Sequence, residues 1–196
     1  MSADIVPANF RGDAAMNEGQ RQIFNFGRFV LAFAQVEAYL RVTLTELGKV
    51  SDIVSKIVLS GARVEDVISY LTKLLKTHSL DAQMTAEYTD VFKHFGPIKD
   101  ARNIVLHYGI DSHGLGGFVA TNRSKMLNPL EATVIPVSAD IFEEMMDDLN
   151  KMTAILVNNL LRLDGTSPAA LAFDPDAKRP WRYTPPPQGG RSKQKD

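Results

Sequence analysis

Three side chains suited to chemistry at a phosphate lie within six residues of one another in the run ARNIVLHYGI. They are Arg102, Asn103 and His107, in a chain with only four histidines. Arginine presents a permanently charged, planar fork that matches phosphoryl oxygens. Histidine can take up or release a proton near neutral pH, and asparagine can orient the histidine or donate to phosphate. Whether the three side chains can act together depends on the element that carries them.

The geometry of a helix constrains how these three side chains can meet. Asn103 and His107 are four residues apart and face the same side of a helix. Arg102 and His107 are separated by about 140° in projection. The long arginine side chain must therefore reach around the helix, or the helix end must unwind.

The sequence before this run predicts helices. A long amphipathic helix is predicted to end at Gly48, a weaker helical segment covers residues 53–58, and a second clear helix covers residues 64–75. Asp81 is a predicted N-cap for a third helix that carries the run, with a kink or break at Gly96 and Pro97. The apolar stripe predicted for the first helix consists of Ile23, Phe26, Val30, Phe33, Leu40, Leu44 and Leu47.

The sequence after the run changes character. The segments GFVATN and EATVIPV are β-branched runs that predict a hairpin at about residues 116–137. Ser138 is a predicted cap for a last long helix that ends before Gly165. The predicted fold class is all-α: a bundle of four to five helices, with a small β-hairpin inserted between the last two core helices.

Two charged residues interrupt apolar stripes on different predicted helices, at Glu37 and Arg102. A buried charge costs several kcal/mol unless it is paired. One hypothesis is that the two helices are neighbours and that Glu37 holds Arg102 by charge-assisted hydrogen bonds. The alternative is that Val36 carries the stripe instead, which leaves Glu37 in solvent.

Charge and composition limit the classes of protein to consider. The net charge is −1, but the six Lys or Arg and one Asp of residues 178–196 give that segment +5 and leave −6 on the rest. Overall charge is therefore unfavourable for tight binding to nucleic acid, and any such binding must be local. The chain lacks cysteine and long apolar segments, which predicts a cytoplasmic protein without a membrane span.

Three regions are expected along the chain: an N-terminal arm over residues 1–16, one helical domain over 17–165, and an extended, proline-rich basic tail over 166–196. The tail composition predicts that it forms no packed element of its own and that its end is disordered. The other three histidines and the acidic residues of the last helix are expected in solvent. These residues are His78, His94, His113, Glu143, Glu144, Asp147 and Asp148.

The run RNIVLH resembles the signature of the HEPN superfamily, an arginine, commonly followed by a polar residue such as asparagine, and then a histidine, spaced R-x(4 to 6)-H at the end of a core helix. The layout is similar too, with the motif late in the third helix and a long helix last, over roughly residues 17–164. The stretch AQVEAYLR around Glu37 is similar to the first helix of many HEPN proteins, where an acidic residue recurs.

The resemblance implies a metal-independent endoribonuclease without a cofactor, in which His107 is the acid or base and Arg102 stabilises the phosphoryl transition state. It implies a homodimer with both motifs in one cleft, and an RNA substrate. It also implies a role as a toxin or phage-defence effector, with an antitoxin or other protein partner. Asn103 and Glu37 would be supporting residues. Residues that could add phosphate contacts are Lys99, Arg123 and Lys125.

One departure from the family pattern limits what the resemblance implies. The toxin subclass with R-x4-H-x-Y has a tyrosine two residues after the histidine, where this chain has Gly109, and Tyr108 comes one position early.

A second reading of the sequence is a non-catalytic HEPN-like module that binds a nucleotide, RNA or a protein partner, with the motif kept for structure or ligand binding.

Overall fold

The computed structural model describes residues 16–59, 61–78, 80–108, 110–113, 117–121, 134–165 and 178–185. Over these residues the chain is mostly helical, in agreement with an all-α class. The predicted arm over residues 1–16 lies almost entirely outside the described residues. In chain order the elements are α1 (Glu18–Gly48), α2 (Asp52–Val58), α3 (Val64–Thr77), α4 (Ala82–Tyr108), β1 (Ile110–His113), β2 (Gly117–Thr121), β3 (Val134–Pro136) and α5 (Ala139–Leu163).

Helix α1 begins with a capping box and ends at the predicted glycine. The Asn17 side chain accepts from the backbone N–H of Gln20, and the Gln20 side chain accepts from the backbone N–H of Asn17. This pair satisfies two of the backbone donors that a helix start leaves free. After Gly48, Lys49 adopts a left-handed conformation with φ 48° and closes the helix end.

The buried face of α1 differs from the predicted stripe. Ile23 is 73% exposed, while Gln22 and Asn25 are buried. Hydrogen bonds offset part of the cost of burying the two amides: Gln22 donates to the carbonyl oxygen of Val137, and Asn25 donates to the Glu143 carboxylate. Among the described residues, the Gln22 Oε1 atom is enclosed without a partner. Further along the helix, Val36 is fully buried. The stripe therefore runs through Val36, and Glu37 lies beside it.

Helix α4 shows the same one-residue shift. Its buried face includes Phe95, Ile98, Ala101 and Val105, so Ala101 continues the stripe and Arg102 lies next to it. The Asp81 side chain caps the helix at Met84 N–H, as predicted. The predicted break is wrong, because α4 continues through Pro97; proline withholds one donor there, and the buried side chains on both sides hold the helix in place.

The core lies between α1, α4 and α5. The Phe29 and Phe142 rings are 5.4 Å apart, which joins α1 to α5, and the Phe33 and Phe95 rings stack at 4.9 Å, which joins α1 to α4. Burying a side chain of this size contributes about 1.5–3 kcal/mol. The Phe33 and Phe95 contact fixes the part of α4 from which the candidate residues project.

A small antiparallel sheet with strand order β1-β2-β3 connects α4 to α5. The two segments expected to pair do so, with Ala120 opposite Ile135 and Thr121 opposite Val134. The sequence prediction missed β1, which pairs with β2 and places Ile110 opposite Ala120. Its residues, Ile-Asp-Ser-His, lack the β-branched pattern that identifies strands.

Residues 178–185, here called the docked segment, lie on the bundle, which the sequence did not predict. The Trp181 ring stacks on His94 at 4.2 Å, and its Nε1 donates to Asp90 Oδ2 at 2.7 Å. Tyr183 is 8% exposed and Asp148 is 1% exposed. The expectation that His94 and Asp148 face solvent is therefore wrong, because the docked segment covers them.

Candidate functional site

Helices α1, α3 and α4 line an open cleft of about 380 Å³. Arg102, Asn103 and His107 all contribute to its wall, as does Glu37. Polar and charged side chains dominate the lining, in contrast to the mostly apolar pockets that bind small molecules. The cleft is lined by Phe33, Glu37, Arg41, Arg63, Val64, Glu65, Lys99, Arg102, Asn103 and His107.

Arg102 is held in the cleft by an aromatic ring and an amide. Its guanidinium carbon lies 5.2 Å from the centre of the Phe33 ring, which is within the range of a cation–π contact. Its Nη1 donates to Asn103 Oδ1 at 3.0 Å. Its Nε–H is enclosed and has no partner. The side chain is thus oriented, while part of its donor capacity remains unused.

The predicted bond between Glu37 and Arg102 is not formed. Among the described residues, no hydrogen bond or ion pair joins the two side chains, and Arg102 contacts Phe33 and Asn103 instead. Because Val36 and Ala101 fill the buried positions, neither charge is forced into the core. Both side chains line the cleft, where water can reach the charges, and this removes the physical reason for pairing them.

His107 lies in the last turn of α4 and is exposed. Its position in the cleft wall agrees with its predicted place on the same helix face as Asn103, four residues earlier. Arg102 reaches the same cleft from its neighbouring position, as a long side chain can. The exposed imidazole and the oriented guanidinium therefore both face the same open cleft.

Asn103 acts on the arginine and not on the histidine. Its Oδ1 accepts from Arg102 Nη1, which leaves its own amide hydrogens for other partners. The interaction fixes one end of the guanidinium fork. The sequence left two roles open for Asn103, to orient His107 or to donate to phosphate; the bond to Arg102 is a third contact that the sequence did not predict.

Lys99 lies in the cleft but is engaged by two carboxylates. Its Nζ is 3.0 Å from Glu65 Oε1 and 3.4 Å from Asp100 Oδ1. Burial lowers the pKa of Lys99, but the hydrogen bonds and charges of Glu65 and Asp100 outweigh that effect and raise it. The Glu65 backbone N–H and the Lys99 amine lower the pKa of the Glu65 carboxyl. The charges of Lys99 and Glu65 therefore compensate each other.

Two cationic residues of the cleft were absent from the sequence prediction, Arg41 and Arg63. Arg41 follows Phe33 and Glu37 at four-residue steps on one face of α1, a spacing that could have identified it. Arg63 comes just before α3, and no sequence pattern marks it. Together with Lys99 and Arg102 they give the cleft four cationic side chains against two carboxylates.

The remaining candidate phosphate contacts, Arg123 and Lys125, lie outside the described residues. Within the described ranges, no group of three or more His, Asp and Glu side chains converges as a metal site would require. None of the described helices combines the length and apolar composition of a membrane span. A second depression, lined by Met16, Gln20, Ile23 and Phe24, is apolar and shallow.

The arrangement can bind an anion and exchange a proton beside it. Guanidinium groups offer bidentate donors to phosphate, and an exposed imidazole can act as acid or base. Comparison of the chain with protein-family models, with curated proteins and with solved structures finds no match. Any family assignment therefore depends on Arg102, Asn103, His107 and the helical layout alone.

Proposed function

We propose that the protein is a metal-independent endoribonuclease of the HEPN type, in which Arg102 and His107 act on one phosphodiester. The observation that carries the proposal is that both side chains, together with Asn103, line a single open cleft. The order of the helices, with the motif at the end of α4 and the long α5 after it, supports the same reading.

The chemistry needs few protein groups, because RNA carries its own nucleophile. The ribose 2′-hydroxyl attacks the adjacent phosphorus, the bond to the 5′-oxygen breaks, and a 2′,3′-cyclic phosphate forms. His107 takes the proton from the 2′-hydroxyl or gives one to the leaving 5′-oxygen, and Arg102 donates to the phosphoryl oxygens as negative charge builds up. Phe33 and Asn103 hold the Arg102 fork in place, so that little reorganisation is needed during the reaction.

The proposal extends to assembly and biological setting as the resemblance implies them. Two copies of the chain would place two motifs in one cleft, which supplies an acid and a base for the two proton transfers. Such a cytoplasmic nuclease would serve as a toxin or phage-defence effector and would need an antitoxin or similar partner. The two carboxylates of the cleft, Glu37 and Glu65, suit a low intrinsic rate.

The alternative, a non-catalytic HEPN-like module that binds RNA, a nucleotide or a protein, is favoured by a different observation. Lys99 is already paired, and the chain outside residues 178–196 carries a charge of −6. Such a surface gives weak general attraction to a nucleic-acid backbone. Binding without cleavage would then be the function of the cleft.

A chimeric substrate separates the two readings. A labelled deoxyoligonucleotide that contains one ribonucleotide is incubated with the protein in excess EDTA, beside the matching all-RNA and all-DNA strands. We expect one cut, directly 3′ of the single ribose, with a 2′,3′-cyclic phosphate end and no cut in the all-DNA strand. Cleavage at deoxyribose positions, or binding of all-RNA without any cleavage, would contradict the nuclease proposal.

A further inference from the structure

We propose that Arg41 and Arg63 form a second phosphate subsite in the cleft, so that its ligand presents two successive phosphates of a nucleic-acid strand. The inference rests on the proposed function for the first phosphate, at Arg102 and His107. It adds a substrate requirement that the motif itself does not contain. Neither Arg41 nor Arg63 belongs to the run ARNIVLHYGI.

The separation of the cationic groups along α1 favours two anions. The Arg102 guanidinium lies over the Phe33 ring, whereas the Arg41 guanidinium is bonded near the start of α3, at Ala62. Phe33 and Arg41 are eight residues apart, about 12 Å along a helix axis. The two guanidinium groups are thus held against different parts of the cleft wall, and we assign one phosphate to each.

Arg41 has donors to offer a ligand. Its Nη2 donates to the carbonyl oxygen of Ala62 at 3.2 Å, and its Nε–H is enclosed without a partner. The guanidinium carries further N–H groups, and a phosphate in the cleft can accept from them.

Arg63 supplies a second, unengaged cation at the Arg41 end. It is exposed, and within the described part of the chain its side chain makes no hydrogen bond or ion pair. It precedes α3 and gives that helix no side-chain cap. The charges of Lys99 and Arg63 both lower the pKa of the Glu65 carboxyl, but the ion pair with Glu65 is formed by Lys99, at 3.0 Å. Arg41 and Arg63 therefore keep their charge for a ligand.

A phosphate-end series on an uncleavable strand tests the subsite. Thymidine dinucleotides without a 2′-hydroxyl are used, d(TpT) carrying one phosphate and d(pTpT) and d(TpTp) carrying two. We expect one of the two longer forms to bind wild type about tenfold more tightly than d(TpT), the gain typical of one charge-assisted contact. Equal binding of all three by wild type would overturn the subsite.

The variant Arg63→Gln assigns the gain to the subsite. The Arg63 side chain makes no hydrogen bond within the described ranges, so this variant should fold as wild type does. We expect it to lose most of the tenfold gain and to reduce the slope of log affinity against log salt by about 0.7. Arg28→Gln, which removes an exposed arginine of α1 that contacts Phe24, is the matched control and should keep the gain. A full gain in Arg63→Gln would overturn the proposal.

Two more binding measurements distinguish the subsite from a nucleotide site and from the nuclease activity. Thymidine diphosphate also carries two phosphates; if it binds more tightly than either doubly phosphorylated dinucleotide, the site is one for nucleoside diphosphates, and the strand proposal is overturned. The same binding series with His107→Ala isolates the nuclease proposal. If wild type cleaves no RNA while the gain persists and depends on Arg63, the subsite stands and the nuclease proposal fails.

Discussion

Arg102 illustrates how a charged side chain on the margin of a core can be oriented without an opposite charge. The Phe33 ring supports one face of the guanidinium, and Asn103 accepts from one of its nitrogens. Arginine keeps a planar fork in such a site, whereas the ammonium group of lysine is a single point of charge. The orientation of the fork, and not the charge alone, is what the residue contributes.

The substitution Arg102→Lys tests that statement. It preserves the charge and removes the fork, so we expect kcat/KM for RNA cleavage to fall about 100-fold, in the range seen when a transition-state donor is lost. Thermal unfolding should change little, because Arg102 forms no ion pair with any described residue. Cleavage by the lysine variant at the wild-type rate would contradict the role of the fork.

Glu37 has the opposite character, a carboxylate near the anion sites that forms no ion pair with a described residue. The substitution Glu37→Gln is expected to change the free energy of unfolding by less than about 0.5 kcal/mol and to strengthen binding of d(TpT), because a like charge leaves the cleft. Urea unfolding and fluorescence titration give the two values. A loss of more than about 2 kcal/mol would indicate a buried ion pair after all.

The sequence located the candidate residues but misjudged how they are held. For the first helix the sequence left open whether Glu37 or Val36 belongs to the apolar stripe, and for the helix that carries the motif it assigned Arg102 to the stripe. In the structure Val36 and Ala101 fill those positions, and one residue of shift turns a side chain by about 100°. Spacing alone cannot show which of two neighbouring residues is buried. Gln22 and Asn25 are a further example, because they are buried through hydrogen bonds that only the folded chain provides.

At the scale of elements, the docked segment is held to α4 and α5 by polar contacts around two rings. Asp148 accepts from the backbone N–H groups of Arg182 and Tyr183 at 2.8 and 2.9 Å. The Lys151 amine lies 4.0 Å from the centre of the Trp181 ring. Burial raises the pKa of Asp148, and the two N–H donors oppose that rise.

Docking of this segment should weaken as the pH falls. Burial lowers the pKa of His94 below its ordinary value of 6.5, Lys93 and Lys151 lower it further, and Asp90 and Asp148 oppose this. The undocked state therefore binds a proton more readily as the pH passes down through 6.5, which favours undocking. The raised pKa of Asp148 acts in the opposite direction. At pH values above 3.8, its ordinary pKa, Asp148 binds a proton more readily in the docked state, which favours docking as the pH falls.

Trp181 is the only tryptophan, so its fluorescence reports the docking directly. As the pH falls below 6.5, the ordinary pKa of histidine, we expect its emission to shift to longer wavelength in wild type. The variant His94→Gln should show a much smaller shift. An equal shift in the two proteins would assign the effect to another group.

Elements with strong local signals were predictable, and those that depend on distant contacts were not. Asp81 and Ser138 cap helices as predicted, since a cap is a local interaction. Gly48 ends α1 for the same reason. Strand β1 depends on pairing with β2, and the docked segment depends on Asp148, Asp90 and His94, which are far away in the sequence. Composition alone described that segment as an unpacked tail.

At the scale of the whole molecule, the uneven charge means that the RNA of the proposed function would have to be recognised locally. The outer face of α1 offers a second feature, a mostly exposed apolar stripe with Ile23 at 73% and Leu31 at 72% exposure. Gly27 lies between them with open space beside it, so a second helix can approach closely. A second copy of the chain, as the proposed function requires, is the partner that we assign to this face.

Light scattering tests this assignment. Wild type should have twice the chain mass of 21.7 kDa, and Leu31→Arg should have the mass of one chain, because an unpaired charge is costly to bury in an interface. The far-ultraviolet circular dichroism of the variant should be unchanged, since Leu31 is outside the core. A monomeric wild type, or a dimeric Leu31→Arg, would exclude this face as the dimer contact.

The proposed function depends most on the participation of His107 in RNA cleavage. The direct measurement is the initial rate of cleavage of a labelled single-stranded RNA in excess EDTA by wild type, His107→Ala and His78→Ala, purified in parallel. His78 is an exposed histidine outside the cleft, so its variant should match wild type. We predict that His107→Ala falls by a factor of about 100 to 10,000, the usual contribution of acid–base catalysis. Equal rates for the two histidine variants, or no cleavage by wild type, would contradict the proposed function.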